Sequence, residues 1–244
     1  MRVARVVTAL VLTAHGSRDP RSAANARAVA DRVAQLRPGL DVRLAFCELN
    51  APSLVDVLDG LSGEAVVTPL LLANAYHARI DIPRQIAGAG VAVPQADVLG
   101  EDYRLISVLR QRVTQSGASR LDDGLGVLVV AIGSSDPAAN ARTARVAPKL
   151  LAGTRWAAAT TAFVTRPERS LAESAAALRR RGARRVVIAP WFLAPGLLPD
   201  RVRGFADGAG IAMAAPLGAH RLVAETVLDR FDRALSSWVN RIAA

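Results

Sequence analysis

The chain is written twice. Ala14-His15-Gly16-Ser17-Arg18-Asp19-Pro20 returns as Ala131-Ile132-Gly133-Ser134-Ser135-Asp136-Pro137, and Asn25-Ala26-Arg27 is answered by Asn140-Ala141-Arg142. Phe46-Cys47-Glu48 with Ser53-Leu54 recurs as Phe163-Val164-Thr165 with Ser170-Leu171. Pro69-Leu70-Leu71-Leu72-Ala73, four residues ahead of His77, recurs as Pro190-Trp191-Phe192-Leu193-Ala194, four ahead of Leu198. Self-similarity at a fixed period restricts a chain to repeated copies of one supersecondary plan, so the 244 residues divide into two domains, 1–121 and 122–244, joined by the polar segment 116–126. The copies keep the turn signals and lose three side chains. His15 becomes Ile132, Glu48 becomes Thr165 and His77 becomes Leu198.

Within each half, short β-branched runs alternate with amphipathic ones, the pattern of βαβ units and a parallel sheet. The first half predicts strands near 6–14, 41–47, 65–72 and 91–99 and helices near 20–36, 53–61, 82–89 and 101–114. The second predicts strands near 126–132, 157–164, 185–193 and 210–214 and helices near 137–151, 170–181, 198–207 and 219–239. Asp19 is the expected N-cap of the first helix, with Pro20 at its first position. The fold class is therefore α/β, two tandem domains, each a mainly parallel sheet flanked by helices.

Composition narrows the function. Half the residues are hydrophobic and 4% aromatic, the profile of a packed α/β protein. No run approaches the ~20 apolar residues of a membrane span. The apolar run after Arg2 and Arg5 resembles a secretory leader, but the same run at Val127–Ile132 sits mid-chain, which identifies both as buried strands. Cys47 is the one cysteine. It excludes an internal disulfide and suits a reducing cytoplasm.

The net charge is +10 and uneven: residues 1–121 carry 14 basic and 11 acidic groups, residues 122–244 carry 17 and 10. A basic chain suggests a polyanion, yet the aromatic stacking surface of a nucleic-acid binder is missing. The dense cluster Arg179–Arg185 falls at an expected helix end, where cations complement the dipole. Gly88-Ala89-Gly90 and Gly208-Ala209-Gly210 follow helices, on the wrong side for a pyrophosphate loop, and are helix C-caps. No Gly-x-Ser-x-Gly elbow or phosphate-binding loop is present.

In an open parallel sheet, ligands gather beyond the carboxyl ends of the strands. His15 ends the first strand, Glu48 follows the second and His77 the third. Two imidazoles and one carboxylate suit a borderline divalent ion such as Fe²⁺, Co²⁺, Ni²⁺ or Zn²⁺, and the lack of thiolates argues against a closed structural zinc site. Cys47, matched by Val164, is expected to face the core, and His220 to cap or decorate the last helix.

On these residues, the His-Gly-Ser-Arg-Asp-Pro turn at 15–20, Phe46-Cys47-Glu48 followed by Pro52-Ser53-Leu54, and Pro69–Leu72 leading to His77, the chain resembles the class II tetrapyrrole chelatases, specifically the sirohydrochlorin chelatases. The resemblance covers nearly the whole chain. It implies two tandem chelatase-like, flavodoxin-like domains with the cleft between them. It further implies a cytoplasmic lyase that passes a divalent metal, Fe²⁺ towards sirohaem or Co²⁺ towards cobalamin, into sirohydrochlorin. His15, Glu48 and His77 are then the catalytic metal ligands, and Ser17, Arg18 and Arg79 the contacts to the carboxylate-rich macrocycle. The metal is a substrate, and no organic cofactor, nucleic acid or membrane is implied. With both histidines gone from the second half, one active site is expected in a monomer built as an intramolecular pseudo-dimer.

Overall fold

The computed structural model describes residues 8–165 and 170–242; Arg2, Arg5 and the start of the expected first strand lie outside them. In chain order the first copy forms β1 (Ala9–Ala14), α1 (Pro20–Leu36), β2 (Val42–Phe46), α2 (Leu54–Asp59), β3 (Ala65–Pro69), a π-helical turn at His77–Asp81, α3 (Ile82–Gly88) and α4 (Tyr103–Gln115). The second forms β4 (Leu125–Ala131), α5 (Pro137–Ala144), α6 (Val146–Leu151), β5 (Ala158–Phe163), α7 (Leu171–Arg180), β6 (Arg185–Pro190), α8 (Leu197–Gly208), β7 (Ala212–Met213) and α9 (Arg221–Ile242).

The sheets are parallel, with strand orders β2-β1-β3 and β5-β4-β6-β7. β1 and β4 are interior strands buried along their whole length, which is why they read as continuous apolar runs and not as alternation. Their registers match between copies: Thr13 opposes Ala45 and Pro69, and Val130 opposes Ala162 and Pro190.

The helix starts follow the expected chemistry. Asp19 accepts from the Arg21 N–H ahead of Pro20, and Asp136 accepts from Ala138 ahead of Pro137. Ser53 with Asp56 and Ser170 with Glu173 close capping boxes on α2 and α7. Gly90 and Gly210, both at positive φ, follow the ends of α3 and α8.

Two elements differ from expectation. Segment 91–99 makes only a bridge at Gln95 to Val67, where the Pro94 carbonyl accepts from Val67 N–H and Ala96 N–H donates to the Val67 carbonyl. The expected helix 137–151 breaks at Arg145 into α5 and α6. Pro148 causes this, since it cannot donate to the Ala144 carbonyl and its ring crowds that oxygen.

The compact units also part from the boundary at 121/122. Unit 1 is Met1–Gly100 with Ala219–Ala244, and unit 2 is Glu101–Gly218. In unit 1, α9 packs on α1 and β3. There Arg37 holds Asp232 through two bonds of 2.5 and 2.7 Å, and Arg230 donates to the carbonyls of Val98 and Leu99. In unit 2, α4 packs on α6 and β6, while Arg110 donates to the Leu150 carbonyl and Arg112 to that of Leu217. The closing helix of each repeat therefore completes the other repeat's unit. Hydrophobic periodicity announces that a helix has a buried face; it does not say which sheet buries it. Within the described residues, no helix is long and apolar enough to cross a membrane.

Candidate metal centre

Strand order brings the candidate ligands together. β1 lies between β2 and β3, so the chain leaving its carboxyl end is flanked by the chains leaving both neighbours. Backbone bonds tie the three exits: Cys47 N–H to the Ala14 carbonyl at 2.9 Å, Glu48 N–H to that of His15 at 3.1 Å, and Leu70 N–H to that of Thr13 at 2.8 Å. His15 Nε2 then lies 2.7 Å from His77 Nε2 and 3.4 Å from Glu48 Oε1. All three expected ligands meet at one edge of unit 1.

The second nitrogen of each ring decides what this contact can do. His15 Nδ1 sits 2.8 Å from the Gly16 carbonyl and His77 Nδ1 3.0 Å from Asp81 Oδ2. A carbonyl and a carboxylate only accept, so each Nδ1 carries its proton, and in the neutral rings each Nε2 presents a lone pair. Two such nitrogens at 2.7 Å, with a carboxylate beside them, attract a positive charge, either a shared proton or a metal ion. Among the described residues no set of three or more His, Cys, Asp or Glu side chains stands ready around an ion, and the spacing explains it. An ion bound at ~2.0–2.1 Å to both nitrogens in tetrahedral geometry would hold them ~3.3–3.4 Å apart, so uptake would part the nitrogens by roughly 0.6–0.7 Å from their 2.7 Å.

A polar chain runs back from His77. Gln85 donates one amide hydrogen to Asp81 Oδ1 at 3.0 Å and the other to the Cys47 carbonyl at 3.2 Å. Burial pushes the Asp81 carboxyl up, but the hydrogen bonds from His77 and Gln85 outweigh it and hold the group below the ordinary aspartate value. The π-helical turn that carries both His77 and Asp81 is a feature concentrated at functional sites. Sequence reasoning missed Asp81 and Gln85, although the spacing of four from His77 to Asp81 and from Asp81 to Gln85 was available.

Close backbone packing shapes the turn. Gly16 has φ +98°, and a Cβ there would meet the Glu48 carbonyl oxygen at 1.8 Å; Gly133 has φ +93° and the nearest such contact is the Thr165 carbonyl oxygen at 2.7 Å. We expect Gly16→Ala to displace the Glu48 loop and abolish tight metal binding along with lowering Tm. Gly133→Ala should lower Tm and leave metal binding intact. Calorimetry with Co²⁺ beside thermal melts checks the pair, and equal metal affinity in the two variants would refute it.

The remaining sequence candidates separate. The Ser17 hydroxyl accepts from the Asp19 N–H, as Ser134 accepts from Asp136 in the ligand-free copy, so the turn accounts for this serine in both. Arg18 and Arg79 are exposed beside the ligands, as are Leu49, Tyr76 and Ile80. The Tyr76 ring stands edge-on to His77 at 5.6 Å. Cys47 packs against the unit 1 core, and burial, with the charges of Asp81 and Glu48, pushes its thiol up to about 12. It stays protonated near neutrality and offers no thiolate ligand. His220 Nδ1 accepts the Leu222 N–H at the start of α9, a cap. In the cluster at 179–185, Arg184 and Arg185 pair with Asp123 and Asp122, and Arg181 donates to the Ala159 carbonyl.

In unit 2 the frame persists without the chemistry. Val164 and Thr165 N–H groups bond the carbonyls of Ala131 and Ile132, as Cys47 and Glu48 do in unit 1. The Thr165 hydroxyl donates to the Ile132 carbonyl at 2.6 Å, Ile132 is exposed and Leu198 packs against the core.

A family model described as CbiX matches residues 9–116 and again 126–234. The sirohydrochlorin ferrochelatase of Priestia megaterium is 28% identical over 96% of this chain and 92% of its own length. A sirohydrochlorin cobaltochelatase of the same organism is 26% identical over 79% of this chain and 66% of its own. Among solved structures, SirB from Bacillus subtilis with Fe³⁺ shares the fold, with a TM-score of 0.80 at 22% identity over 93% of this chain and 95% of that one.

Proposed function

The chain belongs to the CbiX family, and from that premise we propose that it is a sirohydrochlorin chelatase inserting a divalent metal, Fe²⁺ foremost, into sirohydrochlorin. The observation that carries the reading is the approach of His15 Nε2 and His77 Nε2 to 2.7 Å, the rings edge to face, with Glu48 beside them. That arrangement calls for a cation, and its exposure leaves the cation accessible to a second set of ligands. His15, His77 and Glu48 take the ion from solution. The macrocycle then offers four pyrrole nitrogens, two of them carrying protons, and insertion needs an acceptor for those protons. As the ion leaves, the imidazole nitrogens and the Glu48 carboxylate regain lone pairs at the moment the protons must go somewhere. Arg18 and Arg79 supply positive charge for the macrocycle's carboxylates, and exposed Leu49, Tyr76 and Ile80 supply apolar surface for its face. The chemistry needs no nucleophile and no organic cofactor. One thiol with a raised pKa and an Fe²⁺ substrate fit a reducing cytoplasm.

Iron is favoured over cobalt because the ferrochelatase relative aligns over nearly all of both chains. Cobalt insertion is the second reading, supported by the cobaltochelatase relative and by a donor set that serves both ions. Anaerobic incubation of the full chain with sirohydrochlorin and Fe²⁺, Co²⁺ or Ni²⁺ in turn, followed by absorption, tests the proposal. Binding of sirohydrochlorin without metallation by any ion would refute it in favour of a carrier. Glu48→Gln keeps the shape and removes charge and basicity, so insertion should slow by roughly 10²-fold, the lower range for a missing acid–base group. An unchanged rate would return Glu48 to an ordinary surface carboxylate.

A further inference from the structure

We infer that Asp81 is the positioning residue of this site: its carboxylate fixes His77 in the tautomer whose Nε2 lone pair faces His15, and Gln85 fixes Asp81. The inference rests on the ligand set proposed above and extends it by two residues. An imidazole free to choose places its proton on either nitrogen, and a proton on Nε2 removes that ring as a metal ligand. Asp81 Oδ2, 3.0 Å from Nδ1, accepts a hydrogen bond only from the Nδ1–H form. A carboxylate that could swing away would hold the tautomer poorly. Gln85 prevents this by spending both amide hydrogens, one on Asp81 Oδ1 and one on the Cys47 carbonyl. The second of these bonds anchors the chain to the residue next to Glu48, so the loops carrying two ligands are tied through one amide.

The second copy is the internal control. At the offset that matches His77 to Leu198, Asp81 matches Val202 and Gln85 matches Ala206. Both are buried in the unit 2 core, and the π-helical turn is replaced by the regular helix α8. A partly buried carboxylate and amide are costly to keep without a partner. Their joint replacement by apolar side chains in the copy that lost the histidine is what a dedicated support for that histidine predicts. A generic helix-capping or solubility role would have survived the loss.

The tautomer is directly observable. The chain has three histidines, so long-range ¹H–¹⁵N spectra of the full-length protein, assigned with His220→Gln and His77→Gln, resolve each ring. At a pH about two units above the ordinary imidazole value of ~6.5, wild-type His77 should carry its proton on Nδ1. Asp81→Asn, whose amide N–H₂ can donate to Nδ1, should convert a measurable fraction to the Nε2–H form and weaken Co²⁺ binding about 10–100-fold. Asp81→Glu should restore part of both, and Gln85→Leu should give a smaller shift in the same direction. An Nε2–H form of His77 in the wild-type spectrum overturns the inference whatever the variants do. So does Asp81→Asn with the wild-type spectrum, or with reduced Co²⁺ affinity and an unmoved tautomer. The outcomes separate from those of the functional proposal. If His77→Ala leaves Co²⁺ binding intact, the ligand set fails; if it abolishes binding while Asp81→Asn changes nothing, only this inference fails.

Discussion

His15→Ala and His77→Ala should each leave a folded protein whose metal insertion has fallen on the order of 10³-fold or more, given that disturbing an outer-shell partner alone costs 10–100-fold. The expectation follows from the geometry of the pair. Both side chains are partly exposed and outside the core, and the rings stand edge-on with centroids 4.0 Å apart, so truncating either removes little core. What is lost is one of two nitrogens converging on the position a cation must occupy. The surviving imidazole and Glu48 are two ligands, too few to compete with water for an ion that prefers four or more. The matching substitutions Ile132→Ala and Leu198→Ala should leave insertion unchanged. Stopped-flow absorption with sirohydrochlorin and Co²⁺, beside circular dichroism for folding, gives the comparison. Near-normal rates in both histidine variants would remove them from the chemistry and the proposed function with them.

The second large effect concerns the helices that complete each other's units. A fragment spanning residues 101–218 should melt cooperatively, whereas residues 122–244 and residues 1–121, cut at the repeat boundary, should not. In the 1–121 fragment, α9 is missing and with it the buried side chains Val223, Val227, Leu228 and Phe231. At about 1.5–3 kcal/mol for each large apolar side chain, the loss is roughly 6–12 kcal/mol, comparable with the ~5–15 kcal/mol that holds a domain together. The same fragment retains α4 with Leu105, Ile106, Val108, Leu109 and Val113 but without the α6 and β6 surface that buries them. Residues 122–244 have the mirror defect, lacking α4 and carrying an unpartnered α9. Thermal melts and limited proteolysis of the three fragments decide it. A cooperative melt for 122–244 alone would show that α9 can close the second sheet and that the helix exchange is dispensable.

Much of the site was legible because duplication supplied a comparison inside one chain. His15, Glu48 and His77 were singled out by their loss from the second copy, and the structure brings His77 and Glu48 each to within hydrogen-bonding or ion-pair distance of His15. Asp81 and Gln85 vanish from the second copy in the same way. They escaped notice because Asp81 borders and Gln85 lies within a helical segment, where an acid and an amide look like the solvated face. Ser17, expected as a contact to the macrocycle, makes the same turn bond as its counterpart Ser134 in the copy without the histidines.

What the sequence determined by itself was local and periodic: the two α/β copies, the cap at Asp19, the buried strands, and three candidate ligands. These depend on the spacing of apolar residues and on side chains bonding backbone a few positions away, so a linear string contains them. Tertiary structure alone decided three other things. It set which sheet buries α4 and α9, which depends on complementary surfaces distant in sequence. It reduced segment 91–99 to one bridge, since a ladder needs a partner whose N–H and C=O groups align. It fixed the direction of the imidazole nitrogens, because Nδ1 of His77 could find Asp81 only once a π-helical turn had placed that carboxylate under the ring. Composition determines that a histidine can bind a metal; the hydrogen bond on its far side determines which nitrogen is free to do so.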